Sequence, residues 1–326
     1  MTMKLRPLLE ILADGNFHSG EQIGLALSIS RTAVWKKIDK LRSMGVEIHS
    51  VTGKGYRIPV AVCLLDKRLI LELLGRDSET WASRLEVLFS TTSTNADAMF
   101  SAQQGLDFNV HVAEHQTEGK GRRGKEWRSP LGSNIYFSML VSFPSGVAAL
   151  DGLSLAVAVL VVGALRASGY SGFGLKWPND ILLDGKKLAG ILLEITGDVA
   201  GPCKVVIGIG INTHLSASIR HEIDQPVIDL AEKFSSPPDR NVIVANLIRA
   251  LANGVSKFET QGFSAYQAQW QELDLFKGQH VRVGIGRDAV EGLVEGIDHK
   301  GALVLRTSSG IRVICSGELI PTMRAL

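Results

Sequence analysis

The 326-residue chain holds only three cysteines, Cys63, Cys203 and Cys315, each more than 100 positions from the next. No C-x-x-C pair is present to ligate zinc or cycle redox equivalents, and an odd count suits no disulfide scaffold; a reducing, cytoplasmic setting fits. Long apolar runs are missing too. The longest, Leu153 to Leu165, is thirteen residues, where a bilayer span needs about 20, so it reads as a buried helix. The N-terminus has no uninterrupted apolar core of the kind a signal peptide carries. Excess charge is scarce: 35 Lys and Arg against 33 Asp and Glu leave +2, too little for a wholesale nucleic-acid binder, so any DNA contact must be local. No long-period repeat or low-complexity tract appears.

What remains is globular composition, 45% hydrophobic and 21% charged, in a chain long enough for two or three compact units. Residues 1–64 read as the first. Leu5, Leu8, Leu9 and Leu12 share one helical face. Ser19 and Gln22 form a capping box for a second helix with Ile23 and Leu27 inward. Ser30 caps a third, whose Val34, Ile38 and Leu41 point one way, and Gly45 ends it where a left-handed residue is needed. A hairpin follows, with its tip at Gly53-Lys54-Gly55. Three helices and a two-stranded wing are the order of a winged helix-turn-helix. Residues 1–60 carry nine Lys or Arg against five Asp or Glu, a net of 9 − 5 = +4, so charge is concentrated where the motif lies. Arg31, Thr32, Trp35, Lys36 and Lys40 face away from the third helix's apolar side toward a major groove, and Lys54 and Arg57 of the wing reach phosphates.

Residues 65–274 alternate helical stretches with strand-like ones, Leu85 to Phe89, Val110 to Ala113, Ile135 to Val141, Leu188 to Ile195 and Val205 to Ile211. This predicts a mixed α/β catalytic core. Residues 275–326 change texture to short alternating strands with glycine turns, a small antiparallel barrel. The fold class is therefore α+β and multidomain.

The segment Gln116 to Arg128 contains Gly119, Gly121 and Gly124 in a G-x-G-x-x-G spacing. A dinucleotide fold needs a helix next, and Ser129-Pro130 and a strand follow instead. The same stretch satisfies G-x-x-x-x-G-K, but Glu126 stands where a phosphate-binding P-loop places its Ser or Thr. What is left is a glycine loop with five basic residues against two acidic ones between Glu118 and Arg128. Glycines let backbone N–H groups approach an anion, and arginines match phosphate or carboxylate oxygens. Its like charges repel, so the loop is expected to order when an anion arrives. Further on, Lys176-Trp177-Pro178-Asn179-Asp180 presents Asn179 and Asp180 on an extended loop, and Lys187 stands at the mouth of an apolar strand. No Ser-His-Asp or Cys-His spacing appears among the eight histidines; His18, His111 and His115 read as structural.

Four separated motifs, Ser93-Thr94-Asn95, the Gly119 to Gly124 loop, Lys176 to Asp180 with Lys187-Leu188-Ala189-Gly190, and Gly208-Ile209-Gly210-Ile211-Asn212, resemble those of the bifunctional biotin-protein ligases that double as biotin operon repressors. The resemblance runs nearly end to end and implies a class II synthetase-like catalytic domain and an SH3-like C-terminal barrel. It implies a biotin site of Ser93, Thr94, Asn95, Gln116, Gly119, Lys120, Gly121, Arg122, Lys187 and Gly190. Trp127, Lys176, Asn179 and Asn212 would hold ATP, with Mg²⁺ arriving on the nucleotide and no metal site of the protein's own. Arg122, Lys187 and Asp180 would be catalytic. Lys120 departs from the family loop, which has arginine there; charge is kept and the bidentate fork is lost. Thr213 to Asp224 resembles the family's adenine-covering loop in position.

The implied partners are a biotin carboxyl carrier protein, the acetyl-CoA carboxylase subunit, operator DNA and, in a ligand-promoted homodimer, a second copy of the chain; no membrane is involved. Two rivals remain. One is a lipoate-using enzyme of the same superfamily, against which the paired loop and K-W-P-N-D motifs argue. The other is a ligand-sensing transcription factor whose ligase half is inactive, against which intact Arg122, Asp180 and Lys187 argue.

Overall fold

The computed structural model describes residues 5–321 except 198–200, 235–237 and 286–287. Two compact units emerge, one of Met1–Val141 with Val206–Ala245 and one of Ser142–Val205 with Asn246–Leu326. The divisions fall inside regular elements rather than at the changes of texture near residues 64 and 274.

The first unit opens with α1 (Arg6–Leu12), α2 (Gly20–Ala26), α3 (Arg31–Ser43) and the wing strands β1 (His49–Val51) and β2 (Gly55–Arg57). Leu8, Leu9, Leu12, Val34, Ile38 and Leu41 are fully buried in one core. The Ser19 hydroxyl accepts from Gln22 N while the Gln22 side chain accepts from Ser19 N, the expected capping box. Ser30 accepts from Ala33 N, and Gly45 takes φ +86°, a region that favours glycine. In the wing, His49 pairs with Arg57 across an antiparallel register.

Residues 59–66 leave this head along a fixed path. Arg240 and Glu114 are each about 2% exposed or less and meet at 2.6 Å. Arg240 also donates to the Cys63 and Asn134 carbonyls, and Glu114 accepts from Leu65 N at 2.5 Å. Asn241 donates to the Leu64 carbonyl at 2.9 Å. A buried charge pair is tolerated only when its remaining hydrogen-bonding capacity is met, and here it is met largely by main chain.

The chain continues through α4 (Lys67–Leu74), α5 (Ser78–Ala82), β3 (Leu85–Leu88), α6 (Thr94–Gln103), β4 (Val110–Ala113) and β5 (Ile135–Phe143). Next come α7 (Leu153–Ala167), β6 (Phe173–Lys176), β7 (Asp180–Leu183), β8 (Lys186–Gly197) and β9 (Cys203–Ile211). Helices α8 (Ala217–His221), α9 (Leu230–Phe234), α10 (Arg240–Gln261) and α11 (Ser264–Leu273) precede β10 (His280–Ile285), β11 (Asp288–Ile297), β12 (Leu303–Thr307), β13 (Gly310–Ile314) and β14 (Glu318–Pro321).

In the first unit β3, β4, β5 and β9 stand in that order. β3 and β4 are parallel, joined through α6 as parallel strands require, and β4 and β5 are antiparallel, so the sheet is mixed. α6 lays Ala98 on Leu140 and Val206. In the second unit β8, β7 and β6 are antiparallel neighbours. α7 is the apolar run of the sequence, buried around most of its circumference, and among the described residues no helix is long and apolar enough to cross a membrane. The C-terminal strands form an antiparallel sheet in the order β13-β12-β11-β10-β14, with a bulge between Val294 and Gly296.

Candidate functional site

The sequence-predicted residues of the first unit converge on the N-terminus of α6. Ser93, Thr94 and Asn95 are buried, 3%, 3% and 5% exposed. Polar side chains this deep must be paired, and they are. Ser138 Oγ on β5 lies 2.7 Å from Thr94 Oγ1 and 2.6 Å from Asn95 Oδ1. Gln116 Oε1 accepts from Thr94 N at 2.9 Å, and Gln116 Nε2 donates to Ser129 Oγ at 2.9 Å, which donates on to the Trp127 carbonyl. The result is a rigid polar cup on a helix N-terminus.

Over its rim the glycine loop closes as a hairpin. Trp127 N donates to Gly119 O at 2.9 Å and Gly121 N to Lys125 O at 2.7 Å, and the backbones of Lys120 and Glu126 pair as an isolated antiparallel β-bridge. Gly119 is buried, and a Cβ there would stand 2.5 Å from Ser129 Oγ and 3.1 Å from Gln116 Nε2. Only glycine lets the hairpin root on the cup. At the tip Arg123 holds φ +56°, a left-handed backbone costing on the order of 1 kcal/mol for a side-chain-bearing residue. Arg122 is half-buried and Arg123 and Lys125 are exposed.

β9 supplies the floor. A Cβ on Gly208 would collide with the Asn95 amide, and one on Gly210 with the Trp127 indole, which explains the G-I-G-I-N pattern as two close approaches of side chain to strand. Asn212, 4% exposed, donates to the Ile228 carbonyl at 3.3 Å.

The second unit holds the remaining predicted residues on one hairpin and its neighbour. Lys176 ends β6 and pairs in register with Asp180, the first residue of β7. The K-W-P-N-D segment is therefore a β-turn-β corner and not simply a loop: Asn179 sits in the turn while Asp180 already belongs to a strand. Trp177-Pro178 is cis. Trp177 is 2% exposed and donates from Nε1 to the Gly301 carbonyl at 3.0 Å. Ser154 donates to the Pro178 carbonyl, and Asn179 Nδ2 to that of Ile191 at 2.9 Å. On this shelf Lys187 Nζ lies 2.8 Å from Asp180 Oδ1, both side chains about one-sixth exposed. Gly190 is the register partner of Asp180.

His18, His111 and His115 each have a side-chain partner. His111 is buried against Ser101 Oγ at 2.9 Å, and burial lowers its pKa. His115 lies 2.9 Å from Ser90 Oγ, its pKa lowered to about 4 by burial and then by the Lys40 charge. His18 pairs with Asp14, whose carboxyl is lowered to about 2, first by the Asn16 backbone N–H and then by His18.

On the head, Arg31, Thr32, Lys36 and Lys40 are exposed and Trp35 is 52% exposed, a large aromatic on an otherwise polar face. Lys54 and Arg57 approach the Phe17 ring at 5.9 and 5.0 Å, so the wing's cations are positioned on an aromatic plate. Arg42 ties α3 to the wing through the Ile48 carbonyl at 2.9 Å and Ser50 Oγ.

A model of the biotin/lipoate A/B protein ligase family matches residues 85–212, an HTH domain model residues 4–57, and a biotin protein ligase C-terminal domain model residues 276–320. Over 312 residues the chain is 38% identical to the bifunctional ligase/repressor BirA of Escherichia coli (strain K12), covering 96% of this chain and 95% of that one. The chain belongs to this ligase/repressor family. It is also 35% identical to the biotin--[acetyl-CoA-carboxylase] ligase of Mycobacterium tuberculosis, over 78% of this chain and 95% of that one. Among solved structures, a biotin protein ligase from Aquifex aeolicus in complex with biotin and ATP is similar at TM-score 0.64 and 28% identity, covering 74% of this chain and 99% of that one.

Sequence reasoning missed Ser138 and Ser129. The signal for Ser138 was available: it is a polar residue inside the apolar strand Ile135 to Val141, where an unexplained hydroxyl needs partners. Ser129 carried no such mark.

Proposed function

We propose that this chain joins biotin and ATP to form biotinyl-5'-AMP and pyrophosphate, then passes the biotinyl group to a lysine of a biotin carboxyl carrier protein, and that with the adenylate bound it represses biotin-synthesis genes as a homodimer. The observation that carries the enzymatic half is the hydrogen-bonded chain Asn95–Ser138–Thr94–Gln116–Ser129 beneath a hairpin bearing Arg122. A buried cup of donors and acceptors suits the polar ring of a small ligand, and the cationic hairpin above it suits the anions that must meet there. Three parts support this division of labour: residues 1–64 for DNA, 65–274 for chemistry and 275–326 as the C-terminal barrel.

In the first step a carboxylate oxygen bonds the α-phosphorus and pyrophosphate leaves. Two anions approach only when their charge is offset. Arg122 stabilises the phosphoryl oxygens, Lys187 positions the carboxylate, and each contributes about 3 kcal/mol, roughly a hundredfold in rate. Mg²⁺ comes with ATP as part of the substrate and supplies further charge neutralisation. Trp127, Lys176, Asn179 and Asn212 receive the nucleotide. A hairpin closed over the cup excludes water from the anhydride.

In the second step the carrier amine attacks the biotinyl carbonyl and AMP leaves. Only about one lysine amine in 2,500 is neutral at pH 7, so a nearby carboxylate is needed for the proton. Asp180 is the group we assign to this, and its 2.8 Å approach to Lys187 would also orient that ammonium. Single-turnover transfer from preformed adenylate separates the roles: a base predicts a large loss in Asp180→Asn, an orienting group a loss confined to adenylate formation.

Mixing the protein with ATP, Mg²⁺ and either biotin or lipoate, and following pyrophosphate, tests the reading. Release with biotin alone supports it; release with lipoate alone, or none, rejects it. For repression, Arg31, Thr32, Trp35, Lys36 and Lys40 enter the groove and Lys54 and Arg57 hold phosphates, with paired half-sites recognised by the dimer. A gel shift of biotin-operon DNA that strengthens with biotin and ATP is the expected result.

A further inference from the structure

The glycine hairpin and the segment after Asn212 are covalently remote, yet one guanidinium bridges them. Arg128, just beyond the hairpin, lies 2.7 Å from Glu126 Oε1 and 3.3 Å from Glu222 Oε2. Glu222 is the C-cap of α8, the short helix in the stretch 213–226. That stretch is fastened at its far side, where Leu215 N donates to Asp229, Arg220 pairs with Asp229 and Glu232, and Thr213 N donates to Asn134 Oδ1. On the side facing the hairpin, Glu222 meets Arg128. Both segments border a cleft of about 490 Å³, also lined by Gln116, Gly45 and Ile219. The Gly45 end of α3 packs on Pro130, where a Cβ would stand 2.7 Å away.

We infer that Arg128 is a positioning residue that ties the biotin-side hairpin to the nucleotide-side segment, slowing escape of the adenylate without touching it. The inference rests on the ligase reading above. Arg128, Glu126 and Glu222 are 41%, 56% and 48% exposed, so the tie is screened by salt and modest in strength. A modest tie is what a closure that must reopen for the carrier requires. Acting between loops rather than on reacting atoms, it affects retention of the intermediate more than the rate of its formation.

The test uses the full-length protein and two readouts. First, without ligand, hydrogen exchange of residues 214–222 is compared in wild type, Arg128→Ala, Glu222→Gln and the double variant. The tie predicts faster exchange in each single variant at low salt, no further gain in the double, and no difference in about 0.5 M KCl. Second, enzyme loaded by biotin and ATP is chased with unlabelled adenylate. Release about three- to fivefold faster in either single variant is expected, with kcat for adenylate formation within about twofold and partial recovery in Arg128→Lys. Unchanged exchange, additive single effects, or release that is unaltered would overturn the inference. A wild type that forms no adenylate defeats the ligase reading instead, while the exchange experiment still decides whether Arg128 joins the two segments.

Discussion

Two hairpins, one in each compact unit, carry sequence-predicted charged residues, and they are built on opposite plans. The hairpin of residues 119–127 is held by its own backbone bonds and by Gly119 seated on the cup, and its tip residues Arg123, Gly124 and Lys125 are exposed. The β6–β7 hairpin is anchored from several sides: Trp177 is buried and bound to Gly301, Pro178 to Ser154 and Asn179 to Ile191. One leaves its tip exposed; the other holds the Asp180–Lys187 pair on an anchored pair of strands.

The contrast is broken most directly by exchanging the symptoms of damage. Trp177→Ala removes a fully buried indole and its hydrogen bond, and should cost about 3–5 kcal/mol of stability, read as a lower urea midpoint. Arg122→Ala should leave that midpoint within about 0.5 kcal/mol while slowing adenylate formation roughly a hundredfold, about 3 kcal/mol. Were Arg122→Ala to unfold the protein, or Trp177→Ala to leave stability intact, the two plans would be misassigned.

A finer comparison concerns the strand beneath the glycine hairpin. Gly210→Ala drives a methyl into the Trp127 indole and should cost about 1–3 kcal/mol, with KM for ATP rising more than KM for biotin. Equal rises would place Trp127 away from the nucleotide. The smallest effect lies at the hairpin's root. His115 titrates near 4 in the fold against about 6.5 unfolded. Above pH 6.5 both forms are neutral and nothing is gained or lost. As pH falls from 6.5 toward 4 the unfolded chain takes up a proton that the folded chain refuses, so stability declines. His115→Gln should flatten that slope in urea melts; an unchanged slope would assign it to other groups.

Much of this was legible in the residues. Ser19, Ser30 and Gly45 announced the ends of α2 and α3 because caps are local chemistry, and the strands Val110 to Ala113 and Val205 to Ile211 showed themselves as apolar runs. β6 and β7 were not seen, since a Trp-Pro turn reads as a loop until the partner strand is known. The Asp180–Lys187 and Arg128–Glu222 pairs were equally hidden: each joins residues on different elements, and no periodicity encodes the distance between them. Spacing grouped the candidate residues, while packing decided which groups hold one another.

The proposed function requires this chain to transfer biotin to a protein amine. Intact-mass measurement of a biotin carboxyl carrier domain after incubation with the enzyme, ATP, Mg²⁺ and biotin tests it. A gain of one biotinyl group with the wild type and a strongly slowed gain with Arg122→Ala are expected; a carrier left unmodified by the wild type, or modified equally fast by both, would contradict the ligase function.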